Sequence, residues 1–254
     1  GTATATAPIT LPGPILLTND DGVDSPLLEH ALIYLRKYGE VIVVAPATEQ
    51  SWKSKCMTRR QRMAAGEVEI AGQTCHTFSG TPSDCVNYAV HNLLPPDRRP
   101  CLVVSGQNLG QNVGLGYTFS SGTVGGTLEG NIAGLPGVAL SRQLPREVVK
   151  EWGRTRSIDP KVTERLYAEG ERLVDAVLGK LLRLPDFLTE PVTWSVNMPF
   201  TLAEDWAVQP AVMAPVPYSN CFTLHDDGYY GDAGRQDPGG RELRPDSDWE
   251  VLRR

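Results

Sequence analysis

Two adjacent aspartates follow a short apolar segment near the start of the chain. Residues Ile15–Thr18 favour a buried strand, and they run directly into Asn-Asp-Asp-Gly at 19–22, whose short polar side chains favour a turn. Ligands of open α/β sheets bind at the carboxyl ends of the strands, so Asp20 and Asp21 are expected where chemistry is usual. Neighbouring carboxylates repel each other, and a hard divalent cation such as Mg²⁺, Mn²⁺ or Ca²⁺ relieves that repulsion. The pair therefore suggests a metal site.

A purely structural role for this turn is also open. Asx residues after a strand commonly cap the next helix, and Asp24 or Ser25 followed by Pro26 at the first helical position fits that role. Because such turns are frequent, the metal hypothesis needs further ligands from other segments.

A second apolar strand is predicted at residues 40–46, and it also ends in a polar loop. Leucines at helical spacing separate the two strands, and this helix is predicted to end at Gly39. Strand, helix and strand of these lengths form a βαβ unit with parallel strands, so both loops are expected at one edge of the sheet. Ser51 in the second loop is then expected beside the aspartates, although a loop serine is by itself usually a surface hydroxyl.

A third apolar strand is predicted at residues 101–106, and its loop is rich in glycine. Glycines let the backbone approach a ligand closely, while Asn108 and Asn112 bring neutral oxygen and nitrogen groups to the same edge. The loop lacks the G-x-G-x-x-G pattern and the lysine of a P-loop, so it does not indicate a dinucleotide site.

Hydroxyl and glycine residues also precede a helix predicted to end near Gly134. The free amides and positive dipole end of such a helix bind anions, and Ser121 and Thr123 add donors. Gly125 and Gly126 lower helix propensity, so we expect this helix to pack closely against another backbone.

A helix predicted at residues 85–94 offers a second helix start, at which Thr81 or Ser83 either binds a phosphate or caps the helix. Before it, short strands at residues 68–70 and 74–78 predict a hairpin beside the main sheet.

The composition is that of a globular α/β protein. The chain has 254 residues, of which 41% are hydrophobic and 21% charged, with a formal net charge of −6. This charge argues against a partner such as a nucleic-acid scaffold or an anionic membrane, and no apolar run is long enough to span a bilayer. The histidines lack zinc-site spacing, and five cysteines without a C-x-x-C pair favour reduced thiols and a cytoplasmic location.

The second half of the chain carries fewer signals. Residues 146–160 are expected to be irregular, residues 162–182 to form a long helix, and residues 192–199 to form a strand. From residue 206 to 249, glycine, proline and aromatic residues favour hairpin extensions whose exposed aromatics suit a subunit interface. There, Asp-Asp-Gly at 226–228 is expected to be a hairpin turn.

We therefore predict three regions. Residues 1–13 are a flexible leader, residues 14–200 form the catalytic core, and residues 201–254 form an extension for oligomerisation.

Five segments follow one another in the order ILLTNDDG (15–22), VVAPATEQS (43–51), GTPSDCV (80–86), VVSGQNLGQN (103–112) and SGTVGGTLEG (121–130). Together they resemble the SurE family of survival-protein nucleotidases over roughly residues 14 to 142. The resemblance implies an α/β fold, with a Rossmann-like three-layer core of parallel strands and a C-terminal hairpin extension that joins subunits into a homodimer or homotetramer. It also implies a metal-dependent phosphomonoesterase acting on nucleoside 5′- and 3′-monophosphates.

The resemblance also assigns roles to individual residues. Its metal ligands correspond to Asp20, Asp21, Ser51 and Asn108, and we expect one divalent ion per subunit, Mg²⁺ or Mn²⁺, with Ca²⁺ possible in a crystal. Its phosphate-binding residues correspond to Asn112, Ser121, Gly122 and Thr123. The predicted catalytic residues are Asp20, Asp21, Asn112 and Ser121.

The chain departs from the family pattern in two places. After Ser51 it has the bulkier and more basic Trp-Lys-Ser-Lys-Cys at 52–56, where the family commonly has small residues, so the substrate stays open. The sequence ends at residue 254, before the last strand that the family usually adds, so we expect a shortened or different tail. Two alternatives remain: a dedicated phosphatase for a biosynthetic intermediate, and a nucleotide-binding protein without hydrolysis.

Overall fold

The described part of the chain, in a computed structural model, comprises residues 9–218, 220–232 and 243–253. Most of the predicted leader lies outside these ranges. Leu11, near its end, is buried in the core, and its N–H donates a hydrogen bond to the carbonyl oxygen of Tyr38 at 2.8 Å. The packed structure therefore begins before the boundary predicted at residue 14.

The sheet at the centre of the molecule is built around β1 (Ile15–Thr18). This strand pairs in parallel with β2 (Val41–Pro46) on one side and with β5 (Leu102–Leu109) on the other. All three strands are buried along their whole length, because helices cover both faces of the sheet. The carboxyl end of β1 is thus flanked by those of β2 and β5.

Four further strands complete a seven-stranded sheet. On the β5 side, β6 (Gly137–Arg142) and β7 (Thr193–Met198) continue in parallel, and on the other side β4 (Gln73–Phe78) pairs in parallel with β2. Antiparallel β3 (Ala65–Ile70) forms the edge. The predicted hairpin therefore exists, but it extends the main sheet and does not lie beside it. The strand order is β3-β4-β2-β1-β5-β6-β7.

Helices pack on both faces of this sheet. One face is covered by α1 (Pro26–Leu35), which a 3₁₀ turn at Arg36–Tyr38 extends, and by α6 (Pro160–Leu181). The other face is covered by α2 (Pro82–Tyr88) and α4 (Gly122–Ile132). The result is the predicted α/β fold with three layers and a mostly parallel sheet.

Two helices differ from the sequence-based expectation. Residues 146–160, expected to be irregular, contain α5 (Arg146–Thr155), which buries Trp152 against a small apolar cluster. A short helix α3 (Leu115–Ser120) also interrupts the glycine-rich segment after β5. Additional short elements are a π-helical turn (Ala89–Leu93), a 3₁₀ turn (Pro96–Arg98) and α7 (Asp248–Arg253).

The C-terminal extension contains the predicted hairpin. Its strands β8 (Phe222–Leu224) and β9 (Tyr230–Asp232) pair antiparallel around the turn at 226–228. Phe222, Leu224 and Tyr230 leave more than half of their surface exposed. Among the described residues, we find no helix with both the length and the apolar character needed to cross a bilayer.

Candidate active site at the carboxyl edge of the sheet

The two aspartates of the first turn are buried where β1 ends. Asp20 is 3% exposed and Asp21 is 4% exposed. The hydroxyl of Thr123 donates a hydrogen bond of 2.7 Å to Oδ1 of Asp20, and the N–H of Leu109 donates one of 2.9 Å to Oδ2 of Asp21. One carboxylate is thus held by the start of α4 and the other by the end of β5.

Burial dominates the electrostatics of this pair. It raises the pKa of Asp20 to about 6, although the Thr123 hydroxyl favours the charged form and lowers it. Burial raises the pKa of Asp21 well above its ordinary value, and the negative charge of Asp20 raises it further. Two ionised carboxylates at this place are destabilised unless a positive charge joins them.

The loop after β2 is attached directly to the first turn. The N–H of Gln50 donates a hydrogen bond of 2.7 Å to the carbonyl oxygen of Asp20, which brings the next residue, Ser51, to the site. Gly122 seals the junction, because a Cβ there would lie 3.0 Å from Oδ2 of Asp20 and 3.2 Å from the carbonyl oxygen of Gln50. Ser51 is half-buried, and its N–H bonds the Glu49 carboxylate at 3.1 Å.

Asn108 lies near the carboxyl end of β5, which ends three residues later than predicted. Its amide nitrogen donates a hydrogen bond of 2.7 Å to the carbonyl oxygen of Gly110, so the amide is oriented within its own loop. The strand passes very close to β6 at Gly106, where a Cβ would lie 2.3 Å from the carbonyl oxygen of Leu140, and φ is +135°. Only glycine fits such a position.

Asn112 is fixed by two neighbouring strands. Its N–H donates a hydrogen bond of 2.8 Å to Oδ1 of Asn197 near the end of β7, and its side-chain nitrogen donates one of 2.9 Å to the hydroxyl of Ser141 in β6. The Asn112 side chain, for which a phosphate-binding role was predicted, therefore also holds the loop after β5 against β6. Asn197 was not predicted as a site residue, although its position near the end of a predicted strand could have indicated it.

The start of α4 supplies the predicted anion-binding groups. Ser121 caps this helix, and its hydroxyl accepts a hydrogen bond of 3.2 Å from the N–H of Val124. The N–H groups of Gly122 and Thr123 belong to the first turn, where an α-helix has no internal acceptors for them. The predicted close packing of the helix is confirmed, since a Cβ on Gly125 would lie 2.1 Å from the carbonyl oxygen of Ser54.

The other helix starts serve the structure. Thr81 caps α2 in a capping box with Asp84, and the hydroxyl of Ser83 donates to the carbonyl oxygen of Gly125 at 3.0 Å. Thr81 is therefore a helix cap, whereas Ser83 joins α2 to α4. At α1, Ser25 occupies the N-cap position, but its hydroxyl makes no capping hydrogen bond.

Arg156 was not predicted to contribute to the site. It follows α5 in a left-handed conformation, and its guanidinium donates a hydrogen bond of 2.6 Å to the carbonyl oxygen of Asp21 and forms an ion pair with Asp24. The segment was expected to be irregular, so no local pattern indicated that this positive charge reaches the first turn.

The site suits a hard cation. Two buried carboxylates share it, and the nearby serine and asparagine side chains also provide oxygen atoms, which Mg²⁺ and Mn²⁺ prefer. Within the described ranges, no group of three or more His, Cys, Asp and Glu residues is placed to hold a metal. The residues present therefore fit an oxygen-coordinated divalent ion.

The family model described as Survival protein SurE matches residues 15–216. This chain belongs to the SurE family. The crystal structure of the SurE protein from Aquifex aeolicus superposes with a TM-score of 0.70 at 25% identity, covering 94% of this chain and 89% of that one. The seven-stranded sheet is thus the SurE fold.

Two curated relatives are named 5′-nucleotidase SurE. The protein from Methanopyrus kandleri is 37% identical over 165 residues, which are 65% of this chain and 61% of the relative. The protein from Citrifermentans bemidjiense is 43% identical over 127 residues, which are 50% of this chain and 49% of the relative. The matched part of the chain thus spans about half to three-fifths of these SurE proteins.

Proposed function

We propose that this chain is a metal-dependent phosphomonoesterase that hydrolyses nucleoside 5′- and 3′-monophosphates to nucleoside and phosphate. The observation that carries the proposal is the buried Asp20–Asp21 pair, joined to the start of α4 through the 2.7 Å hydrogen bond between Thr123 and Asp20. Carboxylates for a cation and helix amides for an anion thus meet at one point. The names of the SurE relatives support the same reaction.

Four side chains would hold one divalent ion per subunit: Asp20, Asp21, Ser51 and Asn108. Bound there, Mg²⁺ or Mn²⁺ would acidify a water molecule and offset the negative charge of the phosphoryl group. The protein's own contribution is to orient both carboxylates through the hydrogen bonds from Thr123 and Leu109, which favour the ionised forms against the effect of burial.

The phosphoryl group would lie against the start of α4. Amides of Gly122 and Thr123, together with the Ser121 hydroxyl, would donate to its oxygens, and the dipole of α4 would favour its negative charge. Asn112 would position the loop after β5 and offer the second hydrogen of its amide nitrogen. These groups would also stabilise the negative charge on the phosphoryl oxygens during transfer.

Asp20 is our proposed general base. Burial, which raises the pKa of Asp20 in the metal-free site, favours acceptance of a proton from the attacking water. In the covalent alternative, the Asp20 carboxylate attacks phosphorus, the alcohol leaves, and water then hydrolyses the aspartyl phosphate. Acid-quenched single turnovers with ³²P-labelled AMP distinguish the two, since only the covalent route leaves a hydroxylamine-sensitive label on the protein.

Phosphate release from AMP, 3′-AMP and p-nitrophenyl phosphate tests the function. We expect turnover with Mn²⁺ or Mg²⁺, none with EDTA, and loss of at least about 10³-fold in Asp20→Asn, since one group serves both as ligand and base. The matched control is Asp226→Asn in the exposed Asp-Asp-Gly turn at 226–228, which should retain full activity. Nucleotide binding without phosphate release would refute hydrolysis and favour a binding protein.

We further propose that residues 201–254 join subunits into a homodimer or homotetramer and that the protein is cytoplasmic. The exposed apolar side chains of β8 and β9 support the first proposal. The second is supported by Cys56, Cys75, Cys85 and Cys101, which are thiols outside disulfides. Light scattering of the purified chain measures its oligomeric state, and a monomer at micromolar concentration would refute the proposed assembly. Cell fractionation tests the location, and recovery of the protein in the periplasmic or secreted fraction would refute it.

A further inference from the structure

Trp52 is a large aromatic side chain that stands open to solvent beside the candidate active site. It directly follows Ser51, it has a left-handed backbone conformation with φ of +61°, and it is 58% exposed. Tryptophan is a residue that proteins bury on average, so one held open at a loop beside a site indicates a contact surface.

Two tyrosines hold the Trp52 ring in place. The ring of Tyr117 in α3 lies 6.0 Å away at an angle of 69°, and the ring of Tyr218 in the extension lies 5.7 Å away at 64°. Tyr117 is itself buried, and its ring lies 6.5 Å from that of Trp249. Trp52 is therefore supported from the core while more than half of it remains available to a ligand.

The loop that carries Trp52 is attached to the site on both sides. The N–H of Gln50 donates a hydrogen bond to the carbonyl oxygen of Asp20. The N–H of Ser54 donates one of 3.0 Å to the carbonyl oxygen of Ser120, one residue before the N-cap of α4. Trp52 lies two residues from each attachment, so its Cα is within about 8 Å of both of these loop Cα atoms. The loop that carries the ring is thus attached beside the start of α4, where the proposed phosphoryl group would lie.

We propose that Trp52 is the platform on which the base of the nucleotide substrate stacks, and that it selects phosphomonoesters bearing an aromatic base. This inference rests on the proposed function and names the substrate class of that site. Every nucleobase presents a flat π face, and an indole ring stacks on it without requiring a particular hydrogen-bond pattern. The expected preference is purine, then pyrimidine, then no base, following the stacking area.

The charge of the same loop fits an anionic organic ligand. Residues 53–62 contain five lysines and arginines and no acidic residue, in a chain whose formal net charge is −6, and of these five Lys55 is ion-paired with Glu129 of α4. A local positive field of this kind attracts phosphorylated molecules to the site. A base attached to a phosphate satisfies both the aromatic and the electrostatic features.

Steady-state kinetics of the full chain with Mn²⁺ test this proposal. The quantity measured is the ratio of kcat/KM for AMP to kcat/KM for ribose 5-phosphate, which lacks the base. We expect Trp52→Ala to lower this ratio by about tenfold or more, mainly through KM for AMP, and Trp52→Phe to retain most of it. A ratio unchanged in Trp52→Ala, with the wild type active, would refute base stacking and leave the proposed hydrolysis standing.

Fluorescence provides a readout that does not depend on turnover. In EDTA, AMP should quench the tryptophan emission of the wild type and of the matched variant Trp194→Phe, but much less that of Trp52→Phe. If no substrate is hydrolysed, Trp52-dependent quenching still supports the platform, while equal quenching in both variants overturns it. An unchanged AMP preference combined with dissociation of an oligomer in Trp52→Ala would also overturn it, since the ring would then be covered by a second copy of the chain.

Discussion

A methyl group added to Gly125 tests whether α4 and the loop after β2 form one rigid unit. A Cβ at this position would lie 2.1 Å from the carbonyl oxygen of Ser54, 2.6 Å from its carbonyl carbon and 2.9 Å from the nitrogen of Lys55. All three are backbone atoms, so no side-chain rotation relieves the overlap. In Gly125→Ala, the loop that carries Ser51 must move away from α4.

The expected cost follows from two opposing effects. Alanine is about 1 kcal/mol better than glycine within a helix, while overpacking of this kind costs about 3 kcal/mol. The net loss is about 2 kcal/mol, which lowers Tm by about 4–8 °C for a domain of this size. Gly179→Ala in α6 is the matched control, since its Cβ meets nothing within 4 Å. It should raise stability by about 1 kcal/mol.

Thermal unfolding followed by circular dichroism measures both variants, and calorimetric titration with Mn²⁺ reports the metal site. We expect Gly125→Ala to bind Mn²⁺ at least about tenfold more weakly, because a small displacement of ligands is costly, and Gly179→Ala to bind like the wild type. A Tm for Gly125→Ala equal to that of Gly179→Ala would show that the loop is not packed against the helix, and the proposed site would lose its structural basis.

Three further predictions concern buried ionisable groups. In EDTA at pH 7, Asp20→Asn should raise the free energy of unfolding by up to about 3 kcal/mol, since the pKa of Asp20 is raised to about 6; a destabilised variant in chemical denaturation would contradict this. Thr123→Val should raise the pKa of Asp20, shifting the acid limb of the pH–activity profile upward, and an unmoved limb would refute the role of this hydrogen bond. Burial lowers the pKa of His30 from 6.5 in the unfolded chain to about 4 in the folded chain. Between these two values only the unfolded chain binds the proton, so the free energy of unfolding falls as the pH drops from about 6.5 to about 4. In urea titrations, the free energy of unfolding of His30→Phe should fall by about 2–3 kcal/mol less than that of the wild type when the pH is lowered from 7 to 4.5. An equal fall in both proteins would exclude His30 as the cause.

Several parts of the site could be predicted because they depend on residues that are consecutive in the sequence. The apolar run before Asp20 and Asp21 predicts a buried strand with acidic residues at its carboxyl end, and the structure has that arrangement. Glycines in α4 predicted close packing, and Gly125 and Gly126 both contact neighbouring segments. In these cases the prediction succeeds because strand formation and close helix packing follow from residues that are adjacent in the sequence.

Other features had a weak signal or none. Residues 146–160 were expected to be charged and irregular, but Arg146–Thr155 form α5, whose buried Trp152 packs in a small apolar cluster. The hairpin was predicted beside the main sheet, with strands at residues 68–70 and 74–78, and nothing in its own residues shows that β4 pairs with β2. The contact of Arg156 with the first turn joins residues 135 positions apart.

The sequence alone therefore determined which side chains lie at strand ends and helix starts, because strand, turn and helix preferences act over a few residues. Only the tertiary structure decided which of these groups meet. Thr123 reaches Asp20 across 103 residues, Leu109 reaches Asp21 across 88, and Trp52 is supported by Tyr218 from the extension. The physical reason is that burial raises the pKa of a carboxylate and orients a hydroxyl only after distant segments have packed around them.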